Sequence, residues 1–175
     1  MAVPSGEYEL TASVDLSPVF GVLTKKTTVT VARPRDDILD VRLKELASGD
    51  PSEVRRAIYD LRYFPKDGER IVPALVSVLE GKDANLRQAA ISVFGSFPKG
   101  AAEHLDLILS IATDTEGGYA RGRAAYLLAR FAPQDEKYEK ALTDGVKSSE
   151  GSLKRQFESA LDQYRRRHNQ DKPAR

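Results

Sequence analysis

The stretch from Glu53 to Pro65 reads EVRRAIYDLRYFP, and it decides the fold because related stretches return three times along the chain. The returns are, in order, NLRQAAISVFGSFP from Asn85, YARGRAAYLLARFAP from Tyr119 and SLKRQFESALDQY from Ser152. Each segment closes on an aromatic residue, at intervals of 33, 34 and 33 positions: Phe64, Phe97, Phe131 and Tyr164. A fixed period of this length is typical of proteins built from stacked structural repeats.

Two further columns follow from the closing aromatic residue. Three positions before it come Leu61, Phe94, Leu128 and Leu161, and seven positions before it come Ala57, Ala90, Ala124 and Phe157. These offsets lie on one face of a helix. Between the segments lie second helical patterns, ERIVPALVSVLEG, EHLDLILSIA and DEKYEKALTDGV, each reached through a turn with Pro or Gly. The sequence therefore predicts a helix–turn–helix unit, and stacked units bury a continuous core.

The openings VRRA and LRQAA, with Asp50 and Asp83 before them, and the second helix VPALVSVLE resemble the HEAT-like repeat family, including its short form named for phycobilin lyases. The resemblance covers roughly residues 36 to 167. It implies a mainly α protein, an α-α superhelix of about four repeats that opens with a helix at Asp36. It also implies a curved stack of the kind that such proteins use to bind partners.

The first 33 residues have a different period. Tyr8, Leu10, Ala12 and Val14 alternate with polar residues, and a second β-rich stretch runs from residue 19 to 31, so two strands are expected. PSGEYELTASVDL followed by TTVTVA resembles the last strands of bacterial immunoglobulin-like sandwich domains. That resemblance implies that the chain is the end of a longer protein, and the alternative is a local hairpin that caps the first helix. The predicted organisation is a β segment over 1–33, a boundary at residues 33–35, repeats over 36–167 and a disordered tail over 168–175.

Composition removes several functional classes. The chain has 27 basic and 26 acidic residues, two histidines and no cysteine. Too few metal ligands are present at the usual spacing, so we expect no metal and no cofactor. No nucleophile elbow and no phosphate-binding glycine loop is present, which favours a non-enzymatic protein. No run of 18 apolar residues and no signal-peptide core is visible, so a cytoplasmic location is the default, and export is expected if the chain is a fragment.

Nucleic-acid binding is not favoured either. Three consecutive arginines, at 165 to 167, precede His168 near the end of the last segment. Clustered cations neutralise phosphates, but a helix C-terminus also favours cations through its dipole. DNA glycosylases of the HEAT-like group use a tryptophan, and this chain has none. We expect a monomer that binds a protein partner and does not enter a membrane.

Candidate residues fall into two groups. The second helices near 69–80, 103–112 and 136–146 are expected to line the concave face, where the candidate binding residues are Glu69, Arg70, Glu103, His104, Asp106 and Glu139. Other charged residues recur near the start of each segment and are expected to hold the stack in register: Asp50, Arg55, Asp83, Arg87 and Arg121. Three glycines, at 117, 118 and 122, either widen a loop for a ligand or accommodate the 34-residue interval.

The sequence leaves three functions open. The preferred one is a protein-interaction or scaffold module that binds through the concave face. The second is an accessory protein of the lyase type that grips a chromophore or a protein substrate. The third is a structural spacer in a larger bacterial surface protein.

Overall fold

The computed structural model describes the backbone of residues 6–15, 22–31 and 36–169, and the side chains of residues 38–169. The chain divides into two compact units, residues 1–39 and 40–175. In the first unit, strand β1 (Gly6–Asp15) pairs antiparallel with strand β2 (Val22–Val31), and Gly6 lies opposite Val31. The predicted boundary at residues 33–35 lies outside the described residues.

Nine α-helices and one turn of 3-10 helix fill residues 36–169. Their bounds are α1 Asp36–Glu45, α2 Pro51–Leu61, the 3-10 turn Pro65–Asp67, α3 Gly68–Glu80, α4 Ala84–Phe94, α5 Pro98–Glu103, α6 Leu105–Thr113, α7 Gly118–Phe131, α8 Glu136–Ser148 and α9 Gly151–Asn169. The prediction of a mainly α chain is confirmed. Helix α9 ends at Asn169, so the first two residues of the predicted tail are helical, and residues 170–175 lie outside the described residues.

The helices of the second unit stack in two layers. The first layer is α2, α4, α7 and α9, each in contact with the next, and the second layer is α3, α5, α6 and α8. The column seven positions before the closing aromatic residue is fully buried in all four repeats: Ala57, Ala90, Ala124 and Phe157. The small side chains in three of the four repeats let neighbouring helices approach closely.

Aspartates begin three of the helices. Asp50, Asp83 and Asp135 have extended backbone, and their carboxylates accept hydrogen bonds from backbone N–H groups in the first turns of α2, α4 and α8. These side chains satisfy donors that a helix N-terminus otherwise leaves without a partner. Asp50 and Asp83 lie 33 positions apart and begin the first-layer helices of the first two repeats, whereas α7 begins after Gly117 without a side-chain cap.

The second helix of the second repeat differs from the prediction. A single helix was expected over 103–112, but the chain forms α5 and α6 with a break at His104, whose φ is −117°. Pro98 opens α5, and Gly100 sits directly on α3. A Cβ on Gly100 would lie 2.4 Å from a methyl group of Val72. The close approach of α5 to α3 therefore requires glycine at this position, and the helix bends afterwards.

The fourth repeat replaces the buried alanine by Phe157 and compensates with a glycine. A Cβ on Gly145 of α8 would lie 2.2 Å from the ring of Phe157. The ring therefore occupies the space that a side chain on α8 would fill. Gly122 of α7 plays a similar part, because a Cβ there would meet the side chain of Gln156 on α9 at 1.7 Å.

Candidate functional site

Four of the six predicted binding residues of the second layer, Glu69, Arg70, Asp106 and Glu139, form ion pairs with other helices. Glu69 lies 3.8 Å from Lys99, and Asp106 lies 3.1 Å from Lys137. The other pairs are Asp40 with Arg70, and Glu139 with Arg165 at 2.7 Å. In three of the four pairs the base follows the acid by 30 or 31 positions, a spacing visible in the sequence. With Glu69 and Asp106 about nine-tenths exposed, at 92% and 88%, these are surface pairs of small energy.

The same six residues do not converge on one site. Glu103 is exposed at the end of α5. His104 is half-buried, its ring packs edge-on against Phe94 with centroids 6.0 Å apart, and its Nδ1 lies 2.9 Å from the carbonyl oxygen of Gly100. These contacts hold the break between α5 and α6. Glu69, Asp106 and Glu139 lie at three successive repeat junctions.

Of the residues expected to hold the register, the two aspartates act on their own helices. Asp50 accepts hydrogen bonds at 2.8 Å from both the N–H and the hydroxyl of Ser52. These bonds lower the pKa of Asp50 below its ordinary value. Asp83 accepts from the N–H groups of Asn85 and Leu86 at 2.8 and 3.0 Å. Neither carboxylate pairs with an arginine among the described residues.

Two arginines of the first layer bond to the ends of second-layer helices, and one of them, Arg121, also joins two repeats through its bond to Ala112. Arg87 of α4 reaches Asp114, just after α6, at 3.0 Å. The hydrogen bond from Arg87, with one from the N–H of Glu116, lowers the pKa of Asp114. Arg121 of α7 is only 5% exposed. It donates to the carbonyl oxygen of Ala112 at 3.3 Å and to the hydroxyl of Ser148 at 3.2 Å.

Arg55 takes no part in this arrangement. Its side chain is exposed, and no ion pair joins it to another of the described residues. By the period of 33 and 34 positions, the residue equivalent to Arg87 and Arg121 is Val54, one position earlier. The prediction that Arg55 is equivalent to Arg87 and Arg121 is therefore wrong. The equivalent position is occupied by the buried Val54, and Arg55 is only its neighbour in sequence.

An apolar groove lies at the position that these arginines occupy in later repeats. Arg87 and Arg121 reach residues 27 positions further on, and the residue 27 positions after Val54 is Gly81. Val54 and Gly81 both line a groove of about 590 Å³, together with Leu46, Val78 and Leu86. Ser77, Lys82 and Asp83 also border the groove, whose lining is mostly apolar. At the aligned position itself the first repeat has Val54 where the third has a buried arginine.

The outer face of the first layer holds residues that the sequence analysis did not single out. Three tyrosines are exposed on its helices, between 41% and 60%: Tyr59, Tyr119 and Tyr126. Tyr59 and Tyr126 are equivalent, two periods or 67 positions apart, which is a signal that the sequence carries. The first-layer helices contain eleven basic and four acidic residues, a net charge of +7, whereas the second-layer helices contain five and seven, a net charge of −2.

Two other kinds of feature bear on function: a metal site and a membrane-spanning helix. In the part of the chain that the structure describes, no three His, Asp or Glu side chains converge as a metal site. Within those residues, none of the helices combines the length and the hydropathy required to cross a bilayer. Two of the three glycines before and within α7 have separate roles: Gly118 adopts a positive φ of 51° where the helix begins, and Gly122 contacts α9.

Comparison with known proteins gives one match. The family model described as HEAT repeats matches residues 39–129, which is more than half of the chain. Neither the curated proteins nor the solved structures contain a match. The matched region runs from the buried Leu39 to Ala129 and so includes the first two repeats and most of α7. On this match and on the two-layer stack of helices, the chain belongs to the HEAT-repeat family.

Proposed function

We propose that this chain is a non-enzymatic protein-interaction module whose contact surface is the outer face of the first layer. The observation that carries the proposal is that the first-layer helices combine exposed tyrosines with an excess of basic residues, among them the exposed Arg123, Arg130 and Arg155. Tyrosine and arginine are enriched in protein–protein interfaces, because each offers a large contact area together with hydrogen bonds. Stacked helical repeats commonly serve as extended binding surfaces.

The second layer, which the sequence favoured as a concave binding face, has a weaker claim. Its candidate carboxylates Glu69, Asp106 and Glu139 are paired with bases of the next repeat. A partner that used these carboxylates would first have to displace a lysine or an arginine. The first-layer arginines at 123, 130 and 155 have no carboxylate at ion-pair distance among the described residues, so their charge is available to a partner.

Site-specific photo-cross-linking tests the choice of surface. A photoreactive phenylalanine analogue replaces Tyr59 in one variant and Glu69 in a matched variant, and both full chains are expressed in the native host. We expect a discrete protein adduct from position 59, and the purified partner should bind Y59A/Y126A at least tenfold more weakly than the native chain. An adduct formed only from position 69 would overturn the choice of the first layer, and no adduct from either position would argue against a protein partner.

A second candidate function is favoured by the apolar groove of the first repeat. Its volume of about 590 Å³ and its aliphatic lining suit a large planar or apolar ligand. This fits the proposal that the chain is similar to the accessory lyases and grips a chromophore. Titration with a bilin, followed by absorbance, tests it, with V54R as the control because an arginine occupies this position in the next two repeats. A flat titration of the native chain counts against this function.

A third proposal concerns the β segment. Strands β1 and β2 form a two-stranded sheet, and such a sheet is only marginally stable in water by itself. This favours a role for residues 1–33 as the end of a larger immunoglobulin-like sandwich, with the repeats as a spacer. The coding sequence upstream tests it: an in-frame stop codon directly before Met1 would defeat it, and further β-rich sequence would support it.

A further inference from the structure

A charged groove runs between α7 and α9 on the outer face of the first layer. On α7 the exposed residues that line the groove alternate basic and aromatic side chains at helical spacing: Arg123, Tyr126 and Arg130. The facing side of α9 contributes serine and glutamine side chains together with four charged residues: Arg155, Asp162, Arg166 and Arg167. Two depressions, of about 430 and 460 Å³, meet at Ser159 and make the groove continuous along both helices.

The floor of this groove depends on glycine. Gly122 of α7 faces Gln156 of α9 so closely that a Cβ would clash with the amide oxygen. The two helices therefore lie near each other at the floor, while longer side chains rise on both sides. Because Gly122 and Gln156 bring the two helices together, Arg123 of α7 and Arg155 of α9 line the same groove.

The charges of the groove are not balanced from within. Arg166 is paired with Asp162 at 2.7 Å, and Arg167 donates to the backbone carbonyl oxygens of Arg130 and Ala132 at the end of α7. The remaining three guanidinium groups have no carboxylate at ion-pair distance among the described residues: Arg123, Arg130 and Arg155. Three unpaired guanidinium groups along one groove attract carboxylates, which they can bind in a bidentate manner.

We propose that the groove between α7 and α9 binds a short acidic segment of a protein partner. The proposal rests on the proposed function, in which the first layer is the protein contact surface. Helix α7 has 14 residues and so spans about 20 Å, which matches about six residues of extended peptide. Carboxylates of the peptide would pair with the arginines, and its backbone would hydrogen-bond to the serine and glutamine side chains of α9.

A peptide fits these features better than a nucleic acid does. The whole chain has a net charge of only +1, whereas proteins that bind long polyanions usually carry a basic excess over a whole domain. The positive charge is confined to one layer, and the helices of the other layer have a net negative charge. A short segment can use the groove without extending beyond the basic face.

Fluorescence anisotropy with the full chain tests the proposal. The probe is a labelled eight-residue peptide with glutamate at alternate positions, at low salt. We expect binding that weakens at least tenfold in R123A/R155A and that R123K/R155K partly restores. The matched control is R55A/R62A, which removes the same charge from exposed positions at α2 and should change the affinity less than threefold.

Each other outcome is decisive. Equal weakening by the two alanine pairs would mean attraction by net charge alone, and no binding of the peptide would remove the groove as its site; both overturn the proposal. A labelled eight-nucleotide single strand that binds more tightly than the peptide, and loses affinity in R123A/R155A, would make the groove a nucleic-acid surface. If a partner cross-links at position 59 but the peptide does not bind, the groove is not the peptide site and the proposed function stands. If the peptide binds but a partner cross-links only at position 69, the proposed function is wrong.

Discussion

The first and third repeats use one position of the period in opposite ways. In the first repeat, Val54 and Gly81 border an open apolar groove. In the third repeat, Arg121 is buried and its guanidinium group donates to the hydroxyl of Ser148, 27 positions on. The helices around the two positions stack in the same way. The period therefore preserves where the helices lie, while the space between them is filled by a polar contact in one repeat and remains an open groove in another.

The fourth repeat makes the same point with side-chain volume. Phe157 stands where the other repeats have alanine, and Gly145, twelve positions earlier, leaves room for its ring. The equivalent pair in the second repeat is Ala90 with Val78. By the period, a large and a small residue have exchanged places between the two helices. Substitutions at these positions and at the two arginines test how each repeat fills the space between its helices.

Phe157→Ala has the largest expected effect. It gives the fourth repeat the alanine of the other three, but Gly145 leaves the space empty, and a phenylalanine-to-alanine cavity costs about 3–5 kcal/mol. The guanidinium group of Arg121, 5.4 Å from the ring, also loses its aromatic neighbour. Urea unfolding measures the loss of free energy.

Gly145→Ala supplies the control for this cavity. In the native chain it should destabilise, because the new Cβ meets the ring. In the Phe157→Ala background it should stabilise, since alanine is the better helix former and the ring is gone. The same sign in both backgrounds would contradict the pairing of the two positions.

Arg121→Met tests the buried arginine. Methionine keeps much of the side-chain volume but leaves the carbonyl oxygen of Ala112 without this donor. Hydrogen bonds of a charged group contribute about 1.5–3 kcal/mol, so a loss of this size is expected in urea unfolding. Arg123→Met, an exposed position two residues along α7, is the matched control and should stay within about 0.5 kcal/mol of the native chain. Equal losses in both variants would show that burial of Arg121 is not what matters.

Ala90→Phe introduces in the second repeat the residue that the fourth repeat carries. Ala90 is fully buried, and its equivalent partner is Val78 instead of glycine, so the ring should overpack the contact at a cost of about 1–3 kcal/mol. Val78→Ala in the same chain should recover part of this loss. A thermal melting curve identical to that of the native chain would mean that the register of the repeats is wrong.

The sequence was sufficient to predict the features that recur with the period of 33 or 34 residues. The closing aromatic residue, the alanine column and the two-layer stack follow from spacing, because burial of a helix face leaves a periodic trace. The polar contacts could not be predicted in the same way. Arg55 and Val54 are neighbours in sequence, and only the direction of each side chain decides which one faces the next repeat. The exposed Tyr59 and Tyr126 could not be predicted as a surface, because the period marks buried positions and leaves exposed ones unconstrained.

Arg87→Met should have the smallest effect and one that depends on pH. The folded state lowers the pKa of Asp114, so the pair stabilises the protein above the ordinary aspartate pKa, and the stabilisation is lost as the pH falls through the lowered value. Both side chains are partly exposed, which limits the difference from the native chain to about 0.2–1 kcal/mol at neutral pH.

Unfolding of both chains from pH 7 to pH 2 should show this difference shrink to zero, and high salt should reduce it at pH 7. Lys140→Met is the control. It breaks the exposed pair with Asp144, whose pKa is also lowered, so its loss of stability should have the same pH dependence and a smaller magnitude. A difference for Arg87→Met that persists at pH 2 would mean that the arginine acts by packing. In that case the second repeat would resemble the first repeat, where Val54 packs at this position, and would differ from the third, where Arg121 forms hydrogen bonds.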